Sequence, residues 1–244
     1  MGLFCSRGPM VKAARSNAPL ALSVANVTAP GNVKLTADRM LEFDEARIGF
    51  THASTWRAMP AARRGVISPS SVDVVYPGTH PRVEKCIRAL CELGKRDPVD
   101  TKRFEDFPQA GLTTNRTIEW APGINISVKG VCWFLKEGVP VIPLLQPRKL
   151  ALPEEALAFY AALGRQAYCK GDWVGAQIEI VDLSGDGEVY ATVIPHRDIR
   201  PISDEAVRRY VETYLEAKKI VDLVRAERPK PRPKPRGDDL FDPR

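Results

Sequence analysis

Two adjoining segments, NRTIEWAPGINISVKG at 115–130 and VCWFLKEGVPVIPLLQP at 131–147, decide the fold class of this chain. Both are rich in β-branched or aromatic side chains, and the first alternates apolar with polar residues, which is typical of strands. The pair Glu137-Gly138 predicts a tight turn inside the second segment. Pro140 and Pro143 each lack a backbone N–H donor, so the last of these strands is expected at a sheet edge or at a bulge.

The segment before these strands is predicted to contain two helices and one strand. A helix is predicted over 80–93, because Pro81 suits a first helical turn and Gly94 can end the helix in the left-handed conformation. A short helix is predicted to begin with Thr36 as its N-cap. The segment SSVDVVYPG at 70–78 predicts a further strand.

The chain after these strands continues with two helices and a hairpin. One helix is predicted over 153–168, and its mostly apolar surface indicates that it is largely buried. QIEIVDL and EVYATVI are predicted to pair as a hairpin around residues 184–187. The last helix is predicted over 203–227, with Ser203 as N-cap and Pro229 ending it.

These elements predict one α+β domain with a mixed β-sheet flanked by helices, over residues 36–227. Residues 1–35 are expected to form a disordered arm, since residues 1–37 contain no acidic side chain. This composition also fits a transit peptide, and MGLFCS fits acylation at Gly2 and Cys5. Residues 228–244, RPKPRPKPRGDDLFDPR, are expected to form an extended basic tail with a terminal DDLF segment.

Charge and cysteine content limit the classes of function. The net charge is +6, but residues 228–244 hold six Lys or Arg and three Asp, so half of the net charge lies in the tail. Five cysteines and three histidines show no zinc-ligand spacing. Buried free thiols predict a reducing, cytoplasmic compartment. No apolar run approaches the roughly 20 residues of a transmembrane helix.

The order of predicted elements over 80–194 is a helix, about three strands, a helix and two further strands. This order resembles the PD-(D/E)XK nuclease-like superfamily, whose core runs αβββαβ. The resemblance implies carboxylates that hold Mg²⁺ or Mn²⁺ and a lysine that stabilises developing charge. Ser127 stands where the acid of the (E/Q)xK motif is expected, which leaves the motif incomplete. The nearest candidates for the site are Glu84, Glu119, Lys129 and Asp182.

Three functions stay open at this point. The first is a non-catalytic accessory protein that binds a protein partner and also nucleic acid, the second is the metal-dependent nuclease, and the third is a pure protein-interaction module. No cofactor is predicted unless the protein is nuclease-like. Leu240 and Phe241, exposed between acids, are candidates for binding a partner protein. The candidates for nucleic-acid binding are the basic residues Arg63, Arg64, Arg148, Lys149, Lys230, Arg232, Lys234 and Arg236.

Overall fold

The computed structural model describes residues 18–45, 51–108, 111–121 and 124–227. The predictions that concern Gly2, Cys5 and residues 228–244 lie outside these ranges. The helices are α1 Ala21–Val27, α2 Val33–Glu45, α3 Ala53–Arg63, α4 Val72–Val75, α5 Pro81–Arg96, α6 Glu154–Tyr168 and α7 Asp204–Glu227. The strands are β1 Lys102–Arg103, β2 Asn115–Ala121, β3 Ile124–Lys129, β4 Cys132–Lys136, β5 Val139–Gln146, β6 Gln177–Asp182 and β7 Thr192–Ile194.

The strands form two sheets. The larger one is mixed and has the order β1-β4-β5-β6-β7, with only β5 and β6 parallel. Helix α6 connects these two parallel strands, as a crossover between parallel neighbours requires. The smaller sheet is the antiparallel hairpin β2–β3. The prediction of an α+β domain with a mixed sheet flanked by helices is therefore confirmed.

Helices cover both faces of the large sheet, and side chains of β5 and β6 point alternately into two cores. One core joins α6 to the sheet through Ile142, Leu144, Ile178 and Ile180, and it also includes residues of α1, α7 and the β2–β3 hairpin. The other core joins α3 and α5 to the sheet through Leu145, Val181 and Leu183. All seven of these side chains are fully buried.

The predicted N-terminal boundary of the domain is wrong. Residues 18–35 belong to the folded domain, because α1 buries residues such as Val24 and Ala25 against α6. Helix α2 begins at Val33, before the predicted N-cap Thr36. Thr36 is instead buried inside the helix, where its Oγ1 donates to Asn32 O and accepts from the Ala29 N–H. The sequence around α1 shows too short a pattern to predict this packing.

The strand predicted over 70–78 is also wrong. A 3-10 turn over Pro69–Ser71 leads into the short helix α4, and Val72 is buried against α5 while Val74 is exposed. One turn of helix with a single inward valine is short enough to resemble an alternating strand in sequence.

Gly94 does not end helix α5, which continues to Arg96. Its role is close packing, because a Cβ at this position would lie 1.8 Å from the carbonyl oxygen of Ala62. Helices α3 and α5 therefore cross at this glycine with their backbones in contact. The start of the predicted 80–93 helix is confirmed, with Pro81 in its first turn.

Strand β5 lies between β4 and β6, so the prediction of an edge strand is wrong. Both prolines occupy positions where the ladder needs no N–H donor. Pro140 pairs with Leu135, one step from the Glu137-Gly138 turn, and this second pair of a two-residue hairpin exchanges no hydrogen bonds. Pro143 lies beyond Val141, which is in the last β4–β5 pair.

The remaining element predictions are confirmed with shifted ends. Helix α6 is largely buried, and α7 begins with the Ala206 N–H donating to Ser203 Oγ at 3.2 Å. Glu137 and Gly138 both have positive φ, as the turn requires. Strands β6 and β7 pair, but the loop between them is longer than predicted, spanning residues 183–191. None of the helices in the described ranges is both long and apolar enough to cross a bilayer.

Candidate functional site

A basic groove runs between α1, the start of α3 and the end of the β2–β3 hairpin. It consists of two adjoining cavities of about 370 Å³ and 260 Å³ that share Ala53, Trp56 and Lys129 as lining residues. The larger cavity also contacts His52 and Arg148, and the smaller one contacts Arg57 and Arg103. We call these two cavities the basic groove.

Lys129 lies at the centre of the groove. Its ammonium group sits 5.1 Å from the centroid of the Trp56 ring, which is a cation–π distance. Burial lowers the pKa of Lys129, because an apolar environment disfavours a charged amine. A half-buried cation of this kind is stabilised when an anion binds beside it.

Tyr168 fixes the end of the strand that carries Lys129. The N–H of the next residue, Gly130, donates to the Tyr168 hydroxyl at 2.8 Å, and that hydroxyl lies 3.1 Å from the carbonyl oxygens of Val128 and Thr114. A side chain at Gly130 would fit only tightly, since a Cβ would lie 3.1 Å from the tyrosine ring. One buried phenol therefore joins both strands of the hairpin next to the groove.

Arg148 closes the other end of the groove, on the loop after β5. Buried Gln146 holds this loop by accepting from the Arg148 N–H at 2.7 Å and donating to Leu150 O at 2.8 Å. The Arg148 guanidinium donates to Ser23 Oγ at 2.9 Å and stacks 5.1 Å from the Phe43 ring centroid. Burial lowers the pKa of Arg148, although an arginine remains charged at any physiological pH.

Arg82, at the start of α5, ties the Arg148 loop to the loop after β6. Its guanidinium donates to four backbone carbonyls, which belong to Pro147, Arg148, Leu183 and Gly185. We call this arrangement the Arg82 clamp. It uses the planar fork of arginine donors in a way that a lysine ammonium cannot reproduce.

His52 lines the larger cavity and has a lowered pKa. Its pKa is lowered to about 4, first by burial and then by the charges of Arg82, Arg148 and His80. The imidazole is therefore neutral at pH 7. A negatively charged ligand in the groove would raise the pKa of His52, because it would offset the nearby cations.

The groove cations have no anionic partners among the described residues. No described carboxylate lies within 4 Å of Arg57, Arg103, Lys129 or Arg148, whereas other cations such as Lys149 and Arg88 form ion pairs. Glu105 lines the smaller cavity and accepts from Thr114 Oγ1 at 3.3 Å. Four cations therefore line one groove without an ion pair to a described carboxylate, which gives the groove a positive potential.

The four residues predicted for a nuclease site lie on separate elements. Glu119 and Lys129 are at opposite ends of the β2–β3 hairpin, where they pair with Asn125 and Asn115. Glu84 on α5 forms an ion pair with Arg88, and Asp182 at the end of β6 accepts from the N–H and Oγ of Ser184. Within the described ranges, no three Asp, Glu, His or Cys side chains cluster in a way that could hold a metal ion.

The residues predicted to bind nucleic acid divide into three groups. Arg63 is not the surface cation that was predicted, because it is only 1% exposed. Its guanidinium contacts the Asp97 carbonyl at 3.0 Å and the Asp97 carboxylate at 3.6 Å. Packing of α3 on α5 turns this arginine inward. Arg64 is exposed at the end of α3, and Lys149 is exposed and paired with Asp186 at 2.8 Å. Of the four described candidates, only Arg148 lies in the groove.

Sequence reasoning missed His52 and Arg103 as groove residues. Each is a single polar residue in an irregular or very short element, and no spacing rule connects positions 52, 103, 129 and 148. The adjacent pair Trp56-Arg57 was the available signal, because an aromatic residue beside a cation is typical of nucleic-acid contacts.

No protein-family model matches this chain, and comparisons with curated proteins and with solved structures give no match either.

Proposed function

We propose that this chain is a non-catalytic accessory protein that binds a stretch of nucleic acid in the basic groove. The observation that carries the proposal is the convergence of Arg57, Arg103, Lys129 and Arg148 without ion pairs to described carboxylates. A linear polyanion suits such a row of cations better than an isolated phosphate does, because it satisfies several of them at once. The cations of residues 228–236 would add attraction without sequence preference.

Single-stranded nucleic acid is the class that fits the groove best. Trp56 and Lys129 line both cavities, and the Trp56 ring lies under the Lys129 ammonium. A positively charged groove that also contains an aromatic side chain is typical of proteins that bind a single strand.

The test is binding of labelled single- and double-stranded DNA and RNA to the full chain across a salt series. A protein that neutralises four phosphates of a single strand should give a slope of log K against log salt of about −3. The double variant Lys129→Gln/Arg148→Gln should weaken binding and reduce that slope by about 1.4. The matched control is Lys218→Gln, which removes an exposed charge on α7, paired with Asp222. Equal slopes for the groove variant and the wild type would refute the proposal.

The nuclease prediction is tested with the same substrates. Incubation with Mg²⁺ or Mn²⁺ would give cleavage that Glu119→Ala or Asp182→Ala abolishes if these acids serve a metal site. The expected result is no cleavage, because these two carboxylates lie on different sheets.

Binding of a protein partner rests on the sequence alone. Leu240 and Phe241 follow a proline-rich spacer and lie between acidic residues, which is the form of a short linear motif. If Leu240→Ala/Phe241→Ala leaves every captured partner unchanged, this part of the proposal fails.

A further inference from the structure

The larger cavity of the basic groove has a mixed chemical character. Its walls include apolar side chains, Leu20, Leu22, Trp56 and Pro147, and its cations are Lys129 and Arg148. No carboxylate belongs to the described lining of this cavity. An occupant that matches these walls combines apolar side chains with negative charges.

The chain itself contains such a segment. Residues 238–242 read DDLFD, in which Leu240 and Phe241 stand between acidic residues. We call residues 238–242 the acidic segment. Its two apolar side chains suit the Leu22 and Trp56 walls, and its carboxylates suit the cations of the cavity, so that each part of the segment has a counterpart in the groove.

Helix α7 packs against α2, and α2 contacts the cavity near its own C-terminal end. Helices α2 and α7 pack side by side and run in the same direction, since Gly31 near the start of α2 donates to Thr213, while Met40 packs with Val221. Near its end, α2 places Phe43 against Arg148 of the cavity. Helix α7 therefore ends beside the same part of the groove.

The spacer between α7 and the acidic segment is long enough. Ten residues, 228–237, separate Glu227 from Asp238. Four prolines favour the polyproline II conformation, in which ten residues span about 31 Å. That length exceeds the roughly 20 Å spanned by two neighbouring helices, α7 and α2, the second of which contacts Arg148 of the cavity through Phe43.

From this chemistry and this reach, we infer that the acidic segment docks in the larger cavity of its own chain and competes there with nucleic acid. The competition rests on the proposed function, whereas the docking itself does not. The spacer would hold the segment at a local concentration on the order of millimolar, so even a weak intrinsic affinity gives substantial occupancy. The basic residues of the spacer remain free to attract the nucleic acid that displaces the segment.

The first experiment measures the competition with the full-length chain. A labelled single-stranded oligonucleotide of eight nucleotides is titrated at low salt against the wild type and against Leu240→Ala/Phe241→Ala, which keeps every charge. The variant should bind about three- to tenfold more tightly, because it loses the docked competitor. The control Leu223→Ala, on an exposed part of α7, should bind like the wild type. Equal affinity of the tail variant and the wild type would overturn the inference while leaving the proposed function intact.

The second experiment measures docking without nucleic acid. A photo-crosslinking benzoylphenylalanine at position 241 should react within the same chain with peptides that contain Leu22 or Trp56, as identified by mass spectrometry. The same group at position 235 is the control and should not reach these peptides. Crosslinks only to a second copy of the chain, or none to the groove, would overturn docking in cis. If docking is observed but no oligonucleotide binds, the proposed function fails and the docking stands.

Discussion

Removing the Tyr168 hydroxyl should destabilise the protein although the change is a single oxygen atom. In Tyr168→Phe, the Gly130 N–H loses its 2.8 Å hydrogen bond to the hydroxyl and keeps the one to Thr114 O at 3.0 Å, while the hydroxyl no longer donates to a backbone carbonyl such as Val128 O at 3.1 Å. Two buried hydrogen bonds are lost, at about 0.5–1.5 kcal/mol each, so the expected cost is about 1–3 kcal/mol. For a chain of this size, that loss corresponds to a melting temperature lowered by about 3–10 °C.

The measurement is the urea or thermal unfolding transition, with Tyr190→Phe as the matched control. Tyr190 is 70% exposed, and its hydroxyl contacts the neighbouring Glu188, so its loss should change the free energy of unfolding by less than about 0.5 kcal/mol. The hydroxyl also fixes the strand end that carries Lys129, and Tyr168→Phe should weaken oligonucleotide binding. A Tyr168→Phe protein as stable as the Tyr190→Phe control would refute the reasoning, because the hydroxyl would then contribute nothing to the hairpin.

Three further predictions concern Gly94, His52 and Glu179. Gly94→Ala should cost at least about 3 kcal/mol of unfolding free energy, since its Cβ would meet the α3 backbone, whereas Gly175→Ala has open space and should be tolerated in the same denaturation assay. Because the pKa of His52 is depressed to about 4, stability should fall as the pH drops from 6.5 toward 4, by less than about 3 kcal/mol after solvent screening, and His52→Gln should abolish this slope in pH-dependent urea unfolding. Burial raises the pKa of Glu179, so stability should fall as the pH rises above 4.5 through that raised pKa, and an unchanged slope in Glu179→Gln would contradict this assignment.

The strands and the long helices could be predicted because their patterns are local. The apolar face of 80–93, the cap at Ser203 and the turn at Glu137-Gly138 each depend on residues within a few positions of one another. Such short-range signals survive without knowledge of the tertiary structure.

The errors arose where tertiary packing decided the outcome. Pro143 would prevent a hydrogen bond to β4 only if β4 extended alongside Pro143. The pairing of β4 with β5 ends at Val141, so no such bond is lost. Gly94 was predicted to end its helix, whereas in the structure it lets the backbones of α3 and α5 come into contact. Arg63 resembles a surface cation until α3 packs against α5. For Gly94 and Arg63, the contacting residue lies too far along the chain for a local rule.

The basic groove could not be predicted for the same reason. Its cations come from α3, β1, β3 and the loop after β5, and neither charge runs nor spacing identify them as a group. Lys129 was singled out for another role, as the lysine of a nuclease motif. Only the docking of the hairpin next to α3 shows that this lysine and Trp56 face the same space.

The Arg82 clamp has a consequence for the order of folding. Its hydrogen bonds join residues 65 to 103 positions apart in sequence, and contacts of such long range form late because closing large loops is entropically costly. The helical turn that holds Arg82 can form early, but its guanidinium finds its acceptors only after β5 and β6 have paired. The Arg148 end of the groove is therefore assembled in one of the last steps of folding. A partly folded chain would already contain its sheet and still lack the Arg148 end of the basic groove.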